Sequence, residues 1–181
     1  MSKEVHEIMN CIYKHKMDGV IFHQSMADFY DFMRLIGFKD WQHHQFEEEL
    51  GELEDMQTKY ISMTHMLLSA EGEVFKNEVI PETWYEQSNM GIDAEEIKKQ
   101  VKGSLHLYMD WEEKTKALYL EKHNKLIELK EYHAASAVRE MAEDVAAEIE
   151  FLEEVIMELE SVVYSPEYIH SMQERFTIDF R

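Results

Sequence analysis

The stretch KEVHEIMNCIYKHKMDGVIFHQSMADFYDFMRLIG, residues 3–37, decides the fold. Apolar or small residues recur in it at Ile8, Ile12, His15, Gly19, Phe22, Met26, Phe29, Met33 and Ile36, a strict four-three alternation. That spacing puts one stripe on one face of a long helix, and Ser2 supplies an N-cap. We designate this helix A (3–36), with Gly37 expected to end it. Asp40 is expected to cap helix B (40–68), whose stripe runs through Phe46, Leu50, Leu53, Gln57, Tyr60, Thr64 and Leu67. The short connection makes A and B antiparallel neighbours.

Working outward, residues 69–93 lose the period and hold Gly72, Pro81 and Gly91. A connection of that length inside a compact domain is expected to cross the bundle or to carry function. Asp93 and Glu96 form a capping box for helix C (94–130), with its stripe at Val101, Leu105, Tyr108, Glu112, Thr115 and Tyr119. Helix D (135–164) carries Ala134, Val138, Met141, Val145, Glu148, Leu152, Val155, Leu159 and Val162. A C–D turn is expected near 130–135, although no Gly or Pro marks it, and one continuous helix is the competing reading. Ser165-Pro166-Glu167 opens a short terminal helix (166–175). The expected fold is all-α, a single four-helix bundle of 181 residues with a long B–C connection and a short C-terminal helix.

Charge narrows the function classes. A formal net charge of −20 repels nucleic-acid phosphate and anionic lipid, so no direct nucleic acid and no membrane partner is expected. No apolar run is long enough to cross a bilayer and no export signal opens the chain. The lone Cys11 fits a reducing, cytoplasmic setting in a bacterial host cell.

Polar residues inside apolar stripes are the candidates for chemistry, because a buried charge must be matched by a proton, a partner or a metal. His23, Glu49, Glu52, Glu112, Asp144 and Glu148 are drawn from four helices, the pattern from which di-iron and di-manganese carboxylate sites are built. The alternative is that these groups pair with Lys16, Arg139 or one another. The run from Met26-Ala27 through Gly37-Phe38 to Glu48-Glu49, followed by the long connection with Gly72, Val74, Pro81 and Trp84, resembles the A–B hairpin and crossover of ferritin-like proteins. The resemblance implies that Glu49 is the bridging glutamate of helix B. Against it, Lys16 stands where a ferritin has its helix-A glutamate, Glu52 replaces the histidine of Glu-x-x-His, and Ala146 falls near an expected helix-D carboxylate. A cation inside such a site opposes iron, so the expectation is no cofactor, with Fe or Mn as the alternative.

The acids are also concentrated. Six lie in the nine positions 47–55, and nine lie between Arg139 and Glu160. Glu150, Glu154 and Glu158 rise about 6 Å apart along a helix, close to the phosphate spacing of a strand. The stretch His23–Phe32 with Gly37-Phe38-Lys39 and Trp111–Lys116 is similar to small acidic helical proteins of Firmicutes and their phages, and to an anti-CRISPR protein of type II systems. That resemblance implies a non-enzymatic inhibitor acting by DNA mimicry on a basic nucleic-acid-binding protein, a guide-RNA-loaded CRISPR nuclease. Its partner-binding residues are expected to be Glu47, Glu48, Glu54, Asp55, Trp84, Tyr85, Glu140, Glu143, Glu150, Glu153, Glu154 and Glu158. The competing function is a ferritin-like metal-binding protein or oxidase with a degenerate di-metal site.

Overall fold

Helix α1 (Lys3–Phe32) begins where the Ser2 hydroxyl accepts the Val5 amide at 3.3 Å, so that an otherwise unsatisfied donor of the first turn is paired. The computed structural model describes residues 2–70, 72, 79–80, 88–89 and 92–180. Four further helices follow: α2 (Ile36–Thr64), α3 (Ala94–Glu128), α4 (Tyr132–Ser161) and α5 (Pro166–Asp179). Asp93 caps α3 by accepting the Glu96 amide at 2.8 Å, and Ser165 caps α5 ahead of Pro166. Among the described residues there is no strand.

Three turns are built alike, and none uses glycine. After α1, the Leu35 amide donates to the Tyr30 carbonyl and the Arg34 amide to that of Asp31, which closes a Schellman motif. Lys130 and Glu131 repeat this pattern after α3, as do Val163 and Tyr164 after α4. The pivotal residues Arg34, Lys130 and Val163 have φ of 61°, 61° and 53°, a region that glycine normally fills. The A–B turn therefore lies at 33–35 instead of at Gly37, which is already inside α2. The C–D turn, expected near 130–135, falls at 129–131 between two separate helices, so the competing reading of one continuous helix does not hold. In the first and third turns the residue after the pivot is itself core: Leu35 and Tyr164 are buried.

The helices run up, down, down, up. Tyr60, near the end of α2, receives a 2.6 Å hydrogen bond partner in His6, near the start of α1, and the Ser69 amide donates to the Asn10 side chain. The first turns of α3 lie at the opposite end, where Ser104 meets the Tyr30 hydroxyl at 2.8 Å. Since α2 and α3 point the same way, the end of α2 and the start of α3 lie at opposite ends of the bundle, and the Asn89 side-chain amide donates to the Phe32 carbonyl at the far one. The long connection is thus a consequence of topology.

The apolar core is in two parts. One gathers Phe22, Phe29, Tyr30, Phe38, Trp41, Leu105, Tyr108, Leu152 and Leu159, and the other Val5, Ile8, Ile12, Tyr119, Leu126, Ala135, Val138 and Val145. Along α1, α3 and α4 the residues between these clusters include Lys16, Glu112 and Glu148, so a polar layer divides the core. Helix α5 closes the first cluster: Phe176 sits 5.0 Å from both Phe38 and Trp41, centre to centre. Gly37 is what lets α5 approach, because a Cβ there would come within 1.9 Å of the Gln173 carbonyl oxygen. Leu50 and Leu67, expected in the stripe of helix B, are instead exposed.

Two substitutions test this account. Gly37→Ala forces α5 off its seat, with an expected loss of about 1–3 kcal/mol in urea unfolding. Val163→Gly relieves a β-branched residue of a left-handed backbone and is expected to gain about 1 kcal/mol. A neutral Gly37→Ala, or a destabilising Val163→Gly, contradicts the packing and turn assignments respectively.

Candidate metal centre

The polar layer contains a cavity of about 110 Å³, open on one side, to which all four long helices contribute. Helix α1 brings Lys16 and His23, α2 brings Gln45, Glu48, Glu49 and Glu52, α3 brings Glu112 and Tyr119, and α4 brings Met141, Asp144, Val145 and Glu148. The six residues singled out as metal ligands, His23, Glu49, Glu52, Glu112, Asp144 and Glu148, all line it. His15, also in the stripe of α1, does not. Its Nε2 meets the Thr115 hydroxyl at 2.8 Å and its ring stacks on Trp111, with burial pushing its pKa down to about 4. His123 is structural as well, with Nδ1 donating to the Ala135 carbonyl at 2.9 Å.

The cavity has two unlike halves. In the first, the Lys16 side chain is only 3% exposed, and its Nζ lies 3.1 Å from Glu49 Oε2 and in close contact with Glu52 Oε2. Burial alone would lower the Lys16 pKa, but the Tyr119, Glu49 and Glu52 oxygens facing it outweigh that and hold it above its ordinary value. Lys16 is therefore a fixed positive charge. Gly19, one turn further along α1, keeps ordinary contact between the helix and the Glu49 carboxylate, 3.6 Å from where a Cβ would sit.

In the second half no lysine or arginine among the described residues lines the cavity. His23 is buried, and its Nδ1 lies 3.0 Å from Gln42 Oε1. With that oxygen as acceptor, Nδ1 carries the proton and Nε2 the lone pair. Burial, reinforced by Lys16 against the Gln42 bond, pushes its pKa down to about 4, so the ring is neutral near pH 7. Nε2 stands 3.8 Å from Glu112 Oε1, too far for a hydrogen bond. Burial raises Glu112 well above the usual carboxylate range, and the charges of Glu148 and Glu49 add to this against Lys16. Burial raises Glu148 too, while the Tyr108 hydroxyl, donating to Glu148 Oε1 at 2.8 Å, works the other way.

This donor set suits one hard divalent cation in the second half. A buried and a half-buried carboxylate with a neutral imidazole whose far nitrogen meets an amide oxygen make a common ligand chemistry for iron and manganese. It does not suit two, because the ammonium engages Glu49 and Glu52. Among the described residues, no three donors already converge on a single point, so a metal held there would require side-chain rotation. Gln42 and Tyr108, which orient His23 and Glu148, were not singled out from the sequence. Tyr108 lies one turn from Glu112 in the stripe of α3, a signal that was available. Nothing in the spacing marks Gln42.

The residues expected to bind a partner are distributed differently. Glu47 and Glu48 pair with His43 and His44 along α2, Asp55 with Lys59, and Glu143 with Arg139. Glu54, Glu140, Glu150, Glu153 and Glu154 are exposed. Glu158 is not part of a free acidic rod, since it accepts from Tyr168 and pairs with Arg175 of α5 at 3.2 Å. Trp84 and Tyr85 lie outside the described residues. Among the described residues, no helix is long and apolar enough to cross a membrane.

No family model and no curated protein matches the sequence. Solved structures do. A ferritin from Archaeoglobus fulgidus engineered to a closed form aligns with 97% of this chain and 96% of its own, with a TM-score of 0.78 and 14% identity. A humanized archaeal ferritin gives a TM-score of 0.79 over the same shares, also at 14% identity. The open-pore ferritin of Archaeoglobus fulgidus gives 0.73. The likeness is to ferritins and stands against the reading of the chain as a non-enzymatic, cofactor-free inhibitor of a CRISPR nuclease. The physical reason for the error is that acid density along a sequence does not report facing: Glu49, Glu112 and Glu148 turn inward, and several outer acids are already paired. At this identity the likeness establishes the fold, a ferritin-like four-helix bundle.

Proposed function

We propose that this chain is a ferritin-like metal-binding protein that holds a redox-active divalent cation, iron or manganese, at the centre of its bundle. His23, Glu112 and Glu148 are the ligands, and Asp144 and Glu48 line the same cavity nearer the surface. The observation that carries the reading is the charge balance of the second half: the buried carboxylate of Glu112 and the half-buried one of Glu148 stand beside a neutral imidazole, and the Lys16 ammonium in the same cavity is already shared by Glu49 and Glu52. Such a half takes up protons or a dication.

Each residue has a task in this scheme. Gln42 fixes the His23 tautomer and so presents the Nε2 lone pair. The Tyr108 hydroxyl holds one oxygen of Glu148 and leaves the other free. The two apolar clusters exclude water from both ends of the layer, which strengthens every electrostatic contact inside it. Bound there, iron or manganese would supply one-electron redox chemistry.

Anaerobic titration of the chelated protein with Fe(II) or Mn(II) is expected to raise the melting temperature in a saturable way, by the equivalent of about 2.7 kcal/mol at a hundredfold excess over Kd. A melting curve indifferent to both metals contradicts the proposal. Glu112→Gln supplies a second check with two readouts. The folded-state pKa of Glu112 is raised, so its ionised form is costly at neutral pH, and that cost fades as the pH falls toward the ordinary value of 4.5, where both states are protonated. The metal-free Glu112→Gln chain is therefore expected to melt higher than the native chain at pH 7, to match it near pH 4, and to lose the metal-induced shift. Retention of the full shift removes Glu112 from the ligand set.

A further inference from the structure

We propose that Lys16 is the residue that fixes the stoichiometry of this centre at a single metal ion, its ammonium standing as a permanent, tethered cation between Glu49 and Glu52. The inference rests on the metal-binding reading above and adds to it what the first half of the cavity does.

Four observations carry it. The Lys16 side chain is 3% exposed, so the ammonium cannot swing into water to make way for a competing ion. Its Nζ engages one oxygen of Glu49 at 3.1 Å and one of Glu52, which are the acceptors a cation on that side would need. The same ammonium lies 6.0 Å from the centre of the Tyr119 ring, within range of an attractive contact with its face. Finally, Lys16 lines the same cavity as His23 and Glu112, so a second dication would meet a like charge inside one small volume.

A tethered ammonium and a dication are not equivalent occupants. Lysine offers a compact charge with three donors and no acceptor, and it neither exchanges nor changes oxidation state. The first half is thereby closed to metals while its carboxylates stay compensated. The second half, with no lysine or arginine among the described residues lining it, remains open to exchange.

Mn(II) binding to the full-length chain tests this, by anaerobic equilibrium dialysis with electron paramagnetic resonance of the bound ion. The native chain and Lys16→Arg, which keeps the charge, are expected to bind one Mn(II) with an isolated-ion spectrum. Lys16→Met keeps the length of the side chain and removes its charge, and is expected to bind two Mn(II) with a spin-coupled signal. One Mn(II) on Lys16→Met, or two on the native chain, overturns the assignment. No Mn(II) on any of the three overturns the metal-binding reading and this inference with it. Should Lys16→Met fail to fold by circular dichroism, Glu52→Gln in the otherwise native chain decides. Affinity for the single ion is then expected to stay within about threefold, whereas a loss of about tenfold or more, of the size that ligand-shell changes cause, identifies Glu52 as a metal ligand and overturns the proposal.

Discussion

The ion triad of Lys16, Glu49 and Glu52 is the contact on which the rest of the structure depends. A buried ammonium is tolerated only where carboxylates meet it, and buried carboxylates only where a cation meets them. The triad satisfies both conditions for one half of the polar layer and leaves the other half to its own devices. Gly19 beside Glu49 and the Tyr119 ring near the ammonium are adjustments around that contact. The two apolar clusters on either side supply the burial that makes it consequential.

Topology explains why such a layer forms at all. With α2 and α3 running the same way, every long helix passes the middle of the bundle, and each presents polar residues at that level. The ends are sealed by large side chains, with Phe176 of α5 against Phe38 and Trp41 at one of them. On its open side the layer is lined by the exposed Glu48 and Asp144 and the half-exposed Glu52. Screening is weak only at the buried side of the centre, around Lys16, His23 and Glu112, although the chain as a whole carries a charge of −20.

Much of this was legible in the residues. The four-three stripe through Ile8, Ile12, Phe22, Met26 and Phe29 placed α1, and polar interruptions at His23, Glu112 and Glu148 pointed to the layer, because a charge inside an apolar stripe must be matched. Turn positions were less legible. Arg34, Lys130 and Val163 adopt a backbone that glycine signals and they do not, so Gly37 drew the boundary to the wrong place, while its true role is to admit α5. The charge-based reading went furthest astray, because a run such as Glu47 to Asp55 winds around α2 and sends Glu49 inward beside outward-facing neighbours. Gln42 was invisible for a different reason: its role exists only because α1 and α2 cross at His23.

The central claim is that the second half of the cavity, and not the first, takes a metal ion. Anomalous diffraction at the manganese edge from crystals grown with Mn(II) measures this most directly. The account predicts a single peak among His23 Nε2, Glu112 and Glu148, with the Lys16 ammonium still between Glu49 and Glu52. A peak between Glu49 and Glu52, or none in the cavity at saturating Mn(II), would contradict it.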